Sequence, residues 1–256
     1  MSDVLLQIDG LSKAFGALVA TDDVTLAIRR GETHALIGPN GAGKPTLVGQ
    51  LTGELAPDAG RIIFDGRDMT GLSTAQRARL GLARSFQITS IFSSFTAEGN
   101  VALAVQATEP HSFRFWRPAE RIARLRQPAR TLLADVGLGR RGHLVAGAMS
   151  HGQHRQLELA MALATRPRML LLDEPMAGLG IEESHAMSQQ LATLKGQCTI
   201  LLIEHDMDVV FSLADRISVL VGGRIVASGT ADQIRSHPGV RLAYLGEEDD
   251  ELLDNL

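Results

Sequence analysis

Gly38-Pro39-Asn40-Gly41-Ala42-Gly43-Lys44, followed by Pro45 and Thr46, is the stretch that decides the fold. The apolar run Ala35-Leu36-Ile37 leads in as a buried strand, and Leu47, Val48 and Leu51 lead out on a helix beginning near Lys44. Glycines at 38, 41 and 43 let the backbone turn tightly, so that successive N–H groups converge on one concavity. That nest, the helix N-terminus and the Lys44 ammonium together favour an anion. The spacing Gly-x-x-x-x-Gly-Lys between strand and helix is that of a phosphate loop, which holds the β- and γ-phosphates of a nucleotide.

One position breaks the pattern. A Ser or Thr hydroxyl normally follows the lysine and coordinates Mg²⁺, whereas Pro45 has neither a hydroxyl nor an N–H. Thr46 does not simply replace it, because one step along a helix turns the side chain by about 100°. Proline is well tolerated in a first helical turn, so the fold is expected to survive while the metal site is weakened.

The chain has 256 residues, 45 % of them hydrophobic, which suits one large domain or a domain with a subdomain. No run approaches the ~20 apolar residues of a membrane span, and Met1-Ser2-Asp3 does not open a secretory signal. Cys198 is the single cysteine, which excludes an internal disulfide and fits a reducing compartment. With 25 basic and 29 acidic residues the net charge is −4, which argues against a nucleic-acid partner. The histidines show no metal-ligand spacing.

Along the chain, Val4–Ile8 and Val24–Ile28 read as strands, with Phe15 between them either a core residue or an aromatic that stacks on a nucleobase. Residues 60–66 form another short strand, and Ser73 caps a helix reaching Leu80. Residues 83–87 end a strand on the polar Gln87. From about 96 to 165 the strand–helix alternation gives way to helices, an inserted α-helical subdomain. One of them runs from Pro118 to Val136, where Pro128 is expected to kink or split it. The aromatic and basic segment 111–117 either touches a partner protein or a membrane surface, or covers a small helical core. Alternation resumes with the apolar runs Met169–Leu172, Thr199–Ile203 and Ile217–Leu220, which suit parallel strands buried on both faces. Residues 1–247 are read as one domain and 248–256 as an acidic tail.

Several strand ends carry chemistry. Asp173 and Glu174 follow an apolar strand, at the edge where open α/β sheets bind ligands; the first suits Mg²⁺ and its water shell, the second an attacking water. His205 follows another strand, either as a surface histidine or as a donor to a γ-phosphate oxygen. Ser150, ahead of Gly152 and Gln153, is a natural N-cap for a helix written over His154–Thr165, and either caps it or helps bind an anion.

In this order the motifs resemble those of the ATP-binding-cassette ATPases over nearly the whole chain. The resemblance implies an α/β cassette with a phosphate-loop core, an N-terminal antiparallel β region and the helical subdomain. It implies ATP and Mg²⁺ as cofactors, with Gly38, Asn40, Gly41, Gly43, Lys44 and Thr46 on the phosphates and Phe15 against adenine. Gln87 matches the glutamine that couples nucleotide to the transmembrane partner and sits beside the metal, Asp173 the Mg²⁺-linked aspartate, Glu174 the catalytic base and His205 the switch histidine. Met149-Ser150-His151-Gly152-Gln153 is similar to the signature that completes a partner subunit's ATP site in a head-to-tail dimer.

The Ser-His-Gly-Gln variant, the turn at Ala177-Gly178-Leu179, the run 203–207 and the ending 243–246 look like importers of branched-chain amino acids; urea and amide importers share much of this. Partners implied are a second ATPase subunit, identical or not, two transmembrane permeases and, indirectly, a solute-binding protein, with the chain peripheral on the cytoplasmic face of the membrane. Gly180 stands where the dimer-contact turn commonly has Asp or Asn.

Overall fold

Residues 3–85, 91–108 and 123–240 are described by a computed structural model of the chain. Gln87, the segment 111–117, Pro118, the ending 243–246 and the tail 248–256 lie outside the described residues. The chain divides into two units, Met1–Leu82 with Lys195–Leu256, and Ala83–Leu194.

The first unit opens with β1 (Val4–Phe15) and β2 (Leu18–Arg29), a long hairpin closed at Gly16-Ala17. Both strands are longer than the runs 4–8 and 24–28 suggested. Gly10, with φ of +62°, lies where the β1–β2 register shifts between Ile8 and Leu11. It absorbs an irregularity that would otherwise end the strand, and Leu11 returns to full burial beyond it. Next come β3 (Thr33–Ile37), α1 (Lys44–Thr52), β4 (Ala59–Phe64), β5 (Arg67–Asp68) and α2 (Thr74–Leu80). The order β2-β1-β4-β5 forms the antiparallel sheet. α2 starts at Ser73, whose N–H donates to the Gln76 carboxamide at 2.9 Å.

The second unit holds β6 (Leu82–Ser85), α3 (Ala97–Ala107), α4 (Ala123–Asp135), α5 (His151–Ala164), β7 (Met169–Asp173) and α6 (Ile181–Thr193). α3, α4 and α5 pack on one another. Pro128 does not split its helix: α4 continues through it to Asp135. Losing one backbone hydrogen bond and crowding the preceding turn costs about 3 kcal/mol. Two sets of contacts straddle the proline and oppose that cost. Leu125, Ala129, Leu133 and Val136 form a buried stripe, and Arg126 and Arg130 reach Glu98 of α3 at 2.6 and 3.0 Å.

The chain then returns to the first unit with β8 (Thr199–Ile203), α7 (Met207–Leu213), β9 (Arg216–Val221), β10 (Arg224–Gly229) and α8 (Ala231–Arg235). Here the strands lie in the order β10-β9-β3-β8, and β3 is parallel to both of its neighbours. Every residue of β3 and β8 is buried, as their unbroken apolar runs require. β10 is antiparallel to β9 and has no counterpart among the apolar runs of the sequence. Ile37, Val210, Ile217, Val219 and Ile234 anchor the core against which these strands and helices pack.

Candidate functional site

The phosphate loop leaves β3 at Ile37 and enters α1 at Lys44. Two of its glycines have no substitute. A Cβ at Gly38 would stand 2.1 Å from the Leu220 carbonyl oxygen, and one at Gly43, where φ is +102°, 2.1 Å from that of Ala20. The loop is therefore pressed between β9 and the β1–β2 hairpin. Asn40 and Gly41 are exposed on its rim and Thr46 is half-buried. The Lys44 ammonium is buried and donates to the carbonyl oxygens of Gly38 and, at 3.0 Å, Pro39. The first main-chain bond of α1 runs from the Leu47 N–H to the Gly43 carbonyl at 3.0 Å. The N–H groups of positions 44 and 46 thus precede the ladder at the positive end of the helix, while Pro45 between them supplies none.

Phe15 ends β1 at the hairpin tip and is 48 % exposed, so it is not a core residue. The Lys13 ammonium sits 5.6 Å from its ring centroid. Asp58 braces this tip, accepting from Lys13 at 2.7 Å and from the Ala14 N–H at 2.8 Å; the Lys13 bond and then the Ala14 bond hold its carboxyl below the usual range.

His205 shares the edge of the sheet that carries the loop. In the parallel pairing Leu36 lies opposite Ile203, so the loop begins two residues beyond one partner and His205 lies two beyond the other. Its ring is exposed. The preceding Glu204 is buried and accepts the His205 backbone N–H at 3.2 Å, and Asp206 caps α7 by accepting the Val209 N–H at 3.1 Å.

In the second unit, β7 ends on Asp173 and Glu174. Asp173 is mostly buried and accepts from Arg84 of β6 at 3.0 Å, a partner that local sequence gave no means of finding. Glu174 is exposed and holds a left-handed φ of +50°, a conformation costly for a side-chain-bearing residue. Ser150 caps α5: its Oγ accepts the Gln153 N–H at 3.3 Å, and the Gln153 carboxamide accepts the Ser150 N–H at 3.1 Å. The helix therefore begins at His151, one turn earlier than His154. Gly152 faces Glu183 so closely that a Cβ would lie 2.4 Å from its carboxylate. Ser150, Gly152, Gln153, Gln156 and Glu183 line a cavity of about 260 Å³. Gln87 lies outside the described residues.

Comparison with known proteins fits this geometry. The pattern of the family described as ABC transporter matches residues 21–177, and that of the branched-chain amino acid ATP-binding cassette transporter matches residues 224–250. The chain belongs to the ABC transporter family, as an ATPase subunit with the α/β cassette fold. It is 39 % identical over 96 % of its length, and all of the relative's, to the high-affinity branched-chain amino acid transport ATP-binding protein BraF of Pseudomonas aeruginosa. It is 40 % identical, at the same coverage, to LivG of Salmonella typhimurium, a protein of the same description. Among solved structures it is similar to an ATP-binding cassette of an ABC transporter in its ADP conformation, with 30 % identity, a TM-score of 0.84, and 96 % of this chain and all of that one covered.

Proposed function

We propose that this chain is the ATP-binding and ATP-hydrolysing subunit of an importer of branched-chain amino acids. The observation that carries the reading is the loop 38–44, with Lys44 buried on its own carbonyls at the N-terminus of α1. Residues 1–247 act as the ATP-binding domain, with the helical subdomain over about 96–165. Phe15 stacks on adenine; Gly38, Asn40, Gly41, Gly43, Lys44 and Thr46 hold the phosphates; His205 donates to the γ-phosphate. Glu174 polarises the attacking water, and Ser150, Gly152 and Gln153 serve the nucleotide of a second ATPase subunit.

Asp173, with Gln87, serves Mg²⁺. Mg²⁺ commonly needs only one or two carboxylates besides phosphate oxygens and water, so a single aspartate fits an ion carried in on the nucleotide. When bound, the ion neutralises charge developing on the phosphates.

The solute assignment rests on the relatives' names, with urea and amides as alternatives. Two transmembrane permeases are the partners, fed by a solute-binding protein, and the chain is peripheral on the cytoplasmic face. Among the described residues no helix is long and apolar enough to cross a membrane. Phe92 and Phe95, with ring centroids 5.4 Å apart, are exposed a few residues beyond Gln87 and suit a docked apolar segment.

Pro45 favours a second reading, in which the chain binds ATP but turns it over slowly at its own loop and still lends Ser150 to its partner. Steady-state hydrolysis of the purified chain beside Pro45→Thr separates the two: faster turnover in the variant supports the second reading, equal turnover removes it. Absence of ATP binding at saturating Mg²⁺ removes both. Uptake by membranes containing the permeases, with leucine against urea as solute, tests the cargo.

A further inference from the structure

Gln50 has no role in the phosphate loop, yet it is fully buried on α1, six residues and about 9 Å along the helix axis from Lys44. A buried carboxamide must have its donor and acceptor filled. Its Nε2 donates to the Ser12 carbonyl at 3.3 Å, and its Oε1 accepts from the Thr21 hydroxyl at 3.1 Å, with Thr21 also fully buried. Ser12 belongs to β1 and Thr21 to β2, where Thr21 pairs with Lys13. One amide thus grips both strands of the hairpin, three residues before Phe15 and three after Leu18.

The same hairpin meets the loop at a second place. The Ala20 carbonyl packs on Gly43, the Asp22 N–H donates to Gly223 at 2.8 Å, and the Gly223 N–H donates to Ala42 at 2.9 Å. One contact alone would let the hairpin pivot on the loop; two, at opposite ends of the first turns of α1, fix its tilt. An apolar pair would seat the helix as well, since a hydrogen bond adds little net stability. Its directionality is what an apolar pair lacks.

We propose that Gln50, acting through Thr21 and Ser12, is a positioning residue that sets the distance and tilt between the hairpin tip and the phosphate loop, and so tunes recognition of the base. This rests on the reading of Phe15 as the base-stacking side chain.

The test compares binding of ATP and of inorganic tripolyphosphate, both as magnesium complexes, in the full chain. Gln50→Leu combined with Thr21→Val removes both polar partners together and leaves neither unsatisfied. ATP affinity is expected to fall about fivefold, part of the value of one stacked base, while tripolyphosphate affinity stays within about twofold. Retained tripolyphosphate binding also shows that the variant folds. Equal weakening of both ligands, or of neither, overturns the proposal. Phe15→Ala is the control. If it lowers ATP relative to tripolyphosphate and the double variant does not, the strut fails and the stacking stands. If Phe15→Ala leaves the ratio unchanged, the stacking reading fails and the strut's function falls with it.

Discussion

The Arg84 guanidinium donates to Asp173 Oδ2 at 3.0 Å, with both side chains nearly nine-tenths buried. A carboxylate proposed to serve Mg²⁺ is thus held in place by a cation on another strand. Removing one partner leaves the other charged and poorly solvated. Arg84→Ala is expected to cost about 2 kcal/mol, between the values for exposed and fully buried pairs. Asp173→Asn should cost a similar amount, and the double variant less than the sum, as measured by denaturant unfolding. Strict additivity would mean that the two side chains do not depend on each other.

Pro45 removes two different groups, and two substitutions separate them. Pro45→Ala restores only the N–H at the start of α1, whereas Pro45→Thr restores the hydroxyl as well. A hydrogen bond to a charged group is worth about 1.5–3 kcal/mol, so both variants should bind ATP about tenfold more tightly without Mg²⁺. Turnover with Mg²⁺ should rise, by about tenfold or more, in Pro45→Thr alone. If alanine accelerates hydrolysis as much as threonine, the missing donor rather than the missing metal ligand is what slows the site.

The loop, the core strands and most helices were legible because each is written locally. Glycine spacing marks the turn, and five-residue apolar runs such as 199–203 mark doubly buried strands. The errors fall where distant contacts override local preference. The apolar run shows a strand only over Val4–Ile8, whereas β1 continues through a bulge at Gly10 because β4 and β2 pair with it on both sides. Of the kink or split that Pro128 predicts, the split does not occur, because Glu98 and the buried stripe hold α4 together across it. β10 leaves no local signal because it is a short edge strand with only Ala227 and Gly229 buried. The partners of Asp173 and Gln50 lie 89 and 29 residues away, beyond the reach of any periodicity.

Gly180 caps α6 without a side chain to do it. Its φ and ψ of −72° and 166° suit any residue, and a Cβ there would meet nothing within 4 Å. Gly180→Asp adds an acceptor for the first-turn N–H groups, a favourable charge at the helix N-terminus and a less flexible unfolded chain. Stability should rise by about 0.5–1 kcal/mol, raising Tm by about 1–4 °C. A fall would mean that repulsion from Glu182 and Glu183 in the same turn outweighs the cap.

Glu158 on α5 is buried; its Oε2 lies 3.4 Å from Arg155, and its Oε1 has no hydrogen-bond partner. Burial pushes its carboxyl above the usual range, against the opposing pull of Arg155 and, more weakly, His154 and His151. The folded state therefore holds this proton to higher pH than the unfolded chain does. Stability attributable to the group falls as pH rises from its ordinary value, 4.5, through the raised folded value, and the full penalty applies above that. Glu158→Gln removes the charge and keeps the shape. At pH 8 the variant should be more stable than the parent by on the order of 1 kcal/mol. The gap should close as pH falls below 4.5, where the parent carboxyl becomes protonated in the unfolded chain as well. The comparison is the difference between two unfolding curves taken across pH. A variant less stable than the parent at pH 8 would show that the Arg155 pair outweighs the desolvation of the carboxylate.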